Sequence, residues 1–587
     1  MQLAADKALT SRCWYWLAAL AILFYSNQVI QLADNTPKFD DLNDVFGFFK
    51  ALATATTWQE KLLAFTYPNN EHITVVDHIV YYLQYQLIGE IRFYPLILLG
   101  HLVIILSGIL LGLGINSSRR PFYFFVITLA YINLQCWDSS FKAMTALSNQ
   151  LVILFAIASV QVLAGGMPST GKLLVGIALA ILATFSQGNG MLVWPTCLLL
   201  LLTDNRWQAN RSRDTAIWLF FAFTTSACYF LARHYWQEHP SSAALLALKE
   251  PLQIASFDVL WQTLLQHPLL PLQTTAAFLG ATLFSESQST AAILAGCSVC
   301  LLFLRQLRIG QPSTLIAIHF IALFLLLSAM TAGFTRGLAY GTAESVVNSR
   351  YKMYSMAFVM LVLAGHVETC YGQTSNRQWL RVVVAAMLAF ALTAQITAYP
   401  LTKPIREQAQ KFQQSYDNWI IDGDFRKQLI YFPPMSDHLL FVADHLQLLD
   451  FTQLTPTRPW LTLSPAPDTV CKNTHSANAC KITATHRGNA IAVLLETTLD
   501  TGQPQADVIF CATDSQSSAP AVLQTALPTT SSGTQQWLVT QQQLPAGAYR
   551  VILQAGNTAA CETSLSKKTR RVDHEMQQLF GKTLRAN

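Results

Sequence analysis

Apolar residues in this chain fall in long runs, and eleven of the runs read as membrane-crossing helices. They lie near 13–32, 94–115, 121–135, 149–165, 172–186, 189–203, 215–233, 291–305, 313–331, 354–370 and 382–398. A crossing needs about 20 mainly apolar residues, so the shorter runs must borrow length from their flanks. The first run follows Lys7 and Arg12 and lacks a small-x-small cleavage site. It reads as an uncleaved first helix rather than a signal peptide. The segment 268–284 (PLLPLQTTAAFLGATLF) is also apolar. A full crossing there would move Arg305 and Arg308 to the wrong face, so it reads as re-entrant or as lying on the outer surface.

The pattern changes near residue 400. Residues 402–450 read as polar and helical. Between 456 and 565 come short alternating runs: WLTL, KITAT, AIAVLLETTL, DVIFCA, QQWLVT and YRVILQA. Gly, Pro, Ser and Thr separate them, which is the pattern of a small β-sandwich. The predicted architecture is therefore a polytopic α-helical membrane protein with a C-terminal β-sandwich domain. Its parts are a membrane domain over 1–400 with a large first loop at 33–92, a helical connector over 401–455, and the sandwich with a basic tail over 456–587.

Composition agrees. Hydrophobic residues make up 52% and charged residues 12%, about half the charged share of a soluble chain. A net charge of +5 over 587 residues gives no reason to expect nucleic acid as a partner. Basic residues gather in one set of short loops: Lys7, Arg12, Arg119, Arg120, Lys172, Arg206, Arg211, Arg213, Arg305, Arg308, Arg377 and Arg381. The bias of such loops toward the cytoplasm puts the N-terminus there. The first loop and everything after residue 400 then face the opposite side.

The cysteines bear on the same question. Cys13, Cys136, Cys197, Cys228, Cys297, Cys300 and Cys370 lie in or beside apolar runs, and Cys471, Cys480, Cys511 and Cys561 lie in the polar C-terminal region. Four in one polar domain suggest two disulfides and an oxidising compartment, with Cys471–Cys480 and Cys511–Cys561 favoured by proximity and strand order. Zinc would need C-x2-C pairs in that domain. The C-x2-C pair Cys297/Cys300 lies inside an apolar run and reads as helix core.

Candidate chemistry concentrates outside the predicted spans. The first loop carries Asp40, Asp41 and Asp44, then Leu42, Val45, Phe46, Phe49 and Leu52 at helical spacing. This predicts an amphipathic helix on the outer membrane surface with acids at its N-terminus. Capping alone would also explain acids there. Asn69, Asn70, Glu71, His72, Asp77 and His78 follow. A late outer loop holds Arg336, Arg350, Tyr351 and Lys352, against the usual charge bias. Arginine suits phosphate through its planar fork, although Arg350 could instead pair with Glu344 or reach the headgroups. SQGNGMLVWP, at 186–195, breaks two apolar runs. It is either a tight turn needing glycine or a cavity wall carrying Gln187 and Asn189. Trp137, Asp138 and Lys142 admit both kinds of reading.

Together these elements resemble the polytopic C-type glycosyltransferases (GT-C) that use polyprenyl-phosphate sugars. The resemblance rests on the acidic pair Asp40–Asp41, a Pro-x-Asn-Glu-His element (Pro68, Asn70, Glu71, His72), the Gly-Asn-Gly-x-x-x-Trp-Pro stretch from Gly188 to Pro195, and Arg336 followed by Ser349–Arg350–Tyr351. It covers about residues 10–400 and looks nearest to bacterial envelope enzymes. It implies an inner-membrane enzyme with its active face and C-terminal domain in the periplasm, moving a sugar from a polyprenyl-phosphate donor to a surface glycan, O-antigen or pilin. Asp40 or Asp41 would be the base. Arg336, Arg350, Tyr351 and Lys352 would hold the donor phosphate. Asp44, Glu71, His72 and Asn189 would meet acceptor or sugar. Glu71 and His72 could also help hold a divalent cation, magnesium or manganese, although the resemblance requires no metal. A lipid-linked sugar flippase is the competing class.

Overall fold

The computed structural model describes residues 2–70, 72–238, 257–309, 315–371 and 377–422, a few positions between 439 and 449, and nine strands between 460 and 566. For those nine strands the description is of the backbone. The chain divides into two compact units. One comprises Met1–Phe48, Trp58–Leu83 and Arg92–Gln408; the other comprises Phe49–Thr57, Gln84–Ile91 and Ala409–Asn587.

The first unit is helical. Among the described residues, 8 helices are long and apolar enough to cross a membrane: Arg12–Leu32, Phe93–Leu113, Ala143–Ala164, Asn205–Glu238, Glu286–Arg308, Ile316–Tyr340, Ser349–Cys370 and Arg381–Tyr416. They coincide with eight of the eleven expected spans. The other three correspond to shorter helices, Arg120–Tyr131, Thr170–Ser186 and Val193–Thr203. The protein is thus a membrane protein built on a helix bundle.

Basic residues of the short loops meet one another's segments. Arg206 binds Asp204 through its fork and reaches the Ala164 and Gly166 carbonyls. Lys172 donates to the Gly165 carbonyl, and Arg213 reaches the Thr170 hydroxyl at 3.4 Å. The loops before Thr170 and after Thr203 therefore sit side by side at one end of the bundle.

The segment 268–284 is largely packed into the bundle, with Leu269 and Leu272 exposed. Its helix, Leu270–Gly280, has 11 residues, too few to cross a bilayer. It packs backbone to backbone on Ser289–Ile309. A Cβ on Gly280 would come 1.9 Å from the Ala292 carbonyl oxygen, and one on Gly296 1.8 Å from that of Ala276. The Ser355 hydroxyl donates to the Leu279 carbonyl at 2.6 Å, which ties this helix to Lys352–Tyr371.

Two further expectations are corrected. The helix at 40–52 does not lie on the membrane. It begins as a π-helical turn, Leu42–Phe46, and continues as Gly47–Thr54. Leu42, Val45 and Phe46 are all buried, because the bundle takes up the apolar face that was assigned to lipid. Cys297 and Cys300 do sit in one helix, but Cys297 is exposed and Cys300 half-buried. On a lipid-facing helix, apolar surroundings do not mean core.

In the second unit, β3 (Trp460–Leu461), β4 (Ser464–Pro465), β5 (Cys480–Arg487), β6 (Ala490–Thr497), β7 (Gln505–Ala512), β8 (Ala521–Ala526), β9 (Gly533–Thr540), β10 (Ala548–Ala555) and β11 (Thr558–Ser566) form two sheets. Their orders are β11-β10-β7-β8-β4 and β3-β9-β6-β5. All pairings are antiparallel except β3 with β9. Strands β4, β8 and β11 escaped the sequence pattern. Strand β10 lies between β7, which carries Cys511, and β11, which carries Cys561. Two strand spacings, about 9.6 Å, exceed the Cα separation a disulfide closes, so those two do not pair. Cys471 lies outside the described residues.

Candidate active site

The three acids of the first loop have different surroundings. Asp41 is fully buried. Its carboxylate accepts the backbone amides of Lys38 and Met144, each at 2.8 Å. Met144 is in the first turn of Ala143–Ala164, where amides lack intrahelical partners. Asp41 therefore caps a helix 103 residues further along the chain. Burial pushes its carboxyl up to about 7, against the pull of those amides and the Lys38 ammonium. Both oxygens are engaged and shielded from solvent.

Asp44 is fully buried too. It accepts the Thr74 and Tyr81 hydroxyls, each at 2.9 Å, and His78 Nε2 lies 3.5 Å away. Beside it is Asp77, also fully buried, with no hydrogen bond to either carboxyl oxygen. Burial, reinforced by the charge of Asp44, holds the Asp77 carboxyl well above the usual carboxylate range. Asp44, expected to meet sugar, here ties the π-helical turn to Thr74 and to Tyr81 of the helix Val75–Ile88.

Asp40 alone of the three is partly exposed. The Asn70 side chain donates to it at 3.4 Å. Two unusual backbone conformations flank this contact. Phe39 has φ 51° and Asn70 φ 53°, the left-handed region that a bulky residue such as Phe rarely adopts. Asn70 opens the two-residue loop between β1 (Pro68–Asn69) and β2 (His72–Ile73), where hairpin turns favour positive φ. Glu71, the other loop residue, lies outside the described residues.

That hairpin docks on the Gly-Asn-Gly element. The Ile73 amide donates to the Tyr229 hydroxyl at 3.2 Å. A Cβ on Gly188 would sit 3.1 Å from both His72 Nδ1 and the Tyr229 hydroxyl. Gly190 is tighter still: its Cβ would lie 2.0 Å from the Ala183 carbonyl oxygen. The glycines make the tight turn that one sequence reading expects, and Gln187 and Asn189 reach side chains of neighbouring helices. Gln187 donates to Asn149 at 2.7 Å and Asn189 to the Tyr354 hydroxyl at 2.9 Å.

The cations come from the late loop. Arg336 lies in a second π-helical turn, Gly333–Gly337; such turns occur often at functional sites. Arg350 lies within electrostatic reach of Asp138, Asp40 and Arg336. Tyr351 packs its ring on Phe278, centroids 4.9 Å apart. Lys352 is turned aside, donating to Gln135 Oε1 at 2.9 Å.

Asp138 is bound by Lys142 at 2.8 Å, and its amide donates to the Ser349 hydroxyl at 3.0 Å. Burial pushes the Asp138 carboxyl up, but the charge and hydrogen bond of Lys142, with Arg350 behind them, hold it below the usual range. Lys142 also stands 4.3 Å from the Phe39 ring centroid. Asp40, Asn70, Asp138, Lys142, Arg336 and Arg350 thus come from four separate stretches of chain and share one neighbourhood.

Sequence spacing missed Gln135 and Tyr354, the partners of Lys352 and Asn189. The i, i+4 spacing of Asp138 and Lys142 was the one readable sign of their pairing. Among the described residues, no three His, Cys, Asp or Glu side chains converge as a metal ligand set.

No protein-family model matches the sequence, and no curated protein matches it. Among solved structures, the fold is similar to an archaeal oligosaccharyltransferase, AglB from Archaeoglobus fulgidus in complex with an inhibitory peptide and a dolichol-phosphate, at 13% identity and a TM-score of 0.37. The apo form of the Archaeoglobus fulgidus oligosaccharyltransferase matches at 12% identity and 0.34. In both cases 75% of this chain is covered, and it spans 60% of the other. Likeness at this level leaves function to the geometry of this chain.

Proposed function

We propose that the protein is a membrane glycosyltransferase of the GT-C type. It takes a sugar from a polyprenyl-phosphate donor and gives it to a hydroxyl of a surface glycan or pilin on the periplasmic side of a bacterial inner membrane. One observation carries this reading: a partly exposed carboxylate, Asp40, shares its neighbourhood with Arg350 and Arg336 at the ends of apolar helices. A base and a pair of phosphate-binding forks at that level suit a substrate whose tail lies in the bilayer and whose head lies in water.

The chemistry follows from the charges. Asp40 takes the acceptor hydroxyl's proton as that oxygen attacks the anomeric carbon. The bond from that carbon to the phosphate oxygen breaks, and its electron pair stays on the phosphate. Arg350 and Arg336 meet the developing charge. Asp138 is a poor base because Lys142 and Arg350 hold it as an anion. With one proton-accepting carboxylate, single displacement inverts the anomeric centre, by analogy with glycosidases.

The test is made in cells lacking the protein and complemented with wild type or Asp40→Asn, at checked membrane abundance. Wild type restores a surface-glycan or pilin sugar and Asp40→Asn does not. Full restoration by Asp40→Asn removes the base. Intact glycans with lipid-linked sugar accumulating in the cytoplasmic leaflet would instead identify a flippase.

A further inference from the structure

One short helix leaves a gap in the membrane-facing wall of the bundle. Arg120–Tyr131 has 12 residues, about 18 Å of helix against about 30 Å of hydrocarbon. The helix Gln2–Leu32 flanks it, with Trp14 meeting Phe122 and Phe125 at ring-centroid distances of 5.4 and 5.3 Å. The helix Arg377–Ala398 flanks it too, where Gln395 donates to the Leu129 and Ile132 carbonyls, each at 2.7 Å. The short helix stops at Tyr131, and both neighbours run on past it.

The gap is a groove of about 230 Å³. Phe24 and Gln28 line it from the first helix, Leu134 from beyond the short one, and Gln395, Ile396 and Tyr399 from the last. Phe24, Ile396 and Tyr399 are exposed, so the groove opens sideways toward lipid, and its walls are mainly apolar. Pockets for drug-sized molecules hold about 300–1,000 Å³. This groove is smaller and takes a stretch of hydrocarbon chain rather than a headgroup.

The groove is tied to a cation of the late loop. Gln135, next to Leu134, donates to the hydroxyl of Thr397, which lies between Ile396 and Ala398, at 2.6 Å. Its Oε1 accepts from Lys352 at 2.9 Å. Lys352 thus stands one side chain away from the groove wall. Its ammonium carries three donors, and this contact uses one.

We propose that this groove seats the first isoprenoid units of the donor's polyprenyl tail, with Lys352 at the phosphate end. This deepens the transferase reading and rests on it. Hydrocarbon gains little by leaving lipid for an apolar groove, so the nearby cation is what selects the occupant. Polyprenyl phosphate carries its charge directly on a single chain, which matches one groove with an ammonium beside it. A phospholipid sets glycerol between its phosphate and two chains.

The test is photocrosslinking of the purified full chain in lipid nanodiscs. One probe is polyprenyl phosphate with a diazirine near the phosphate end of its chain, and the other is phosphatidylglycerol with a diazirine in an acyl chain. The prenyl probe labels the segments around Phe24 and Ile396, and excess unlabelled polyprenyl phosphate displaces it where excess phosphatidylglycerol does not. Lys352→Gln weakens polyprenyl phosphate binding roughly tenfold. Ile396→Trp, at an exposed position, fills the groove and weakens binding without disturbing the packed interior.

Displaceable prenyl labelling that falls elsewhere on the chain overturns the groove and leaves the transferase reading standing. So does groove labelling by both probes that neither competitor distinguishes, because ordinary lipid then fills it, or unchanged binding by both variants. No displaceable prenyl labelling anywhere overturns the transferase reading, and the groove with it.

Discussion

Asp40 and Asp41 carry the same side chain at adjacent positions, and packing gives them different work. Asp41 reaches the Met144 amide and closes the start of Ala143–Ala164, whereas Asp40 faces Asn70 and Arg350. Nothing local in Phe-Asp-Asp-Leu separates the two, because the distinction is made by a helix more than a hundred residues later. The same holds for Asp44, whose buried partners Thr74 and Tyr81 could be placed only once the hairpin had folded over it.

Asp41→Ala removes a cap and leaves two buried amides unpaired. It should lower stability by about 1–3 kcal/mol, read as a drop in the thermal midpoint in detergent. A pH effect has a defined sign. The folded carboxyl titrates near 7 against an ordinary value of 3.8, so the folded state holds the extra proton between those values. Stability is greatest below about 4 and falls as pH rises toward 7. Buried Asp77, also pushed upward, contributes with the same sign. The midpoint of wild type should therefore fall between pH 5 and 8, and less steeply in Asp41→Asn. A parallel pH profile in the variant would remove Asp41 from the explanation.

At the scale of elements, alternation exposed six of the nine C-terminal strands to the sequence reading. It missed β4, β8 and β11, which are short or rich in Ala, Ser and Thr. Apolar periodicity placed the helix after Asp40 but not its surroundings: a helix facing lipid and one facing a protein interior show the same stripe. Other helices present the exposed apolar side chains instead. Trp58 and Leu62 are 67% and 60% exposed on Trp58–Ala64, and Trp261 and Leu265 are 51% and 65% exposed on Phe257–Gln266.

Tryptophan favours the membrane interface, so in single-tryptophan variants brominated lipids should quench Trp58 and Trp261 strongly. Quenching no greater than by water-soluble iodide would return these helices to solvent. The Gly-Asn-Gly turn gives a sharper test. Gly190→Ala forces a Cβ into the Ala183 carbonyl and should destabilise the protein by about 3 kcal/mol or more, seen as lost membrane abundance. Normal abundance and melting would mean that the turn has room the geometry denies.

At the scale of the whole molecule, the membrane character was legible because a bilayer demands long apolar runs and sorts basic loops by side. Which runs are short helices was not legible. Thr170–Ser186 and Val193–Thr203 look like spans in hydropathy, and length alone sets them apart. The site was legible only in pieces. Asp40, Asn70, Arg336 and Arg350 each stood out by type and place, but their convergence depends on helix order in the bundle.

The most direct measurement is release of polyprenyl phosphate from a synthetic polyprenyl-phosphate hexose by the purified chain in liposomes, with a crude periplasmic glycan fraction as acceptor. The transferase reading predicts release by wild type, with sugar appearing on the acceptor. Asp40→Asn should slow it by about 100-fold or more, while Arg350→Gln lowers both rate and donor affinity. Release at the wild-type rate by Asp40→Asn and Arg350→Gln alike would contradict it.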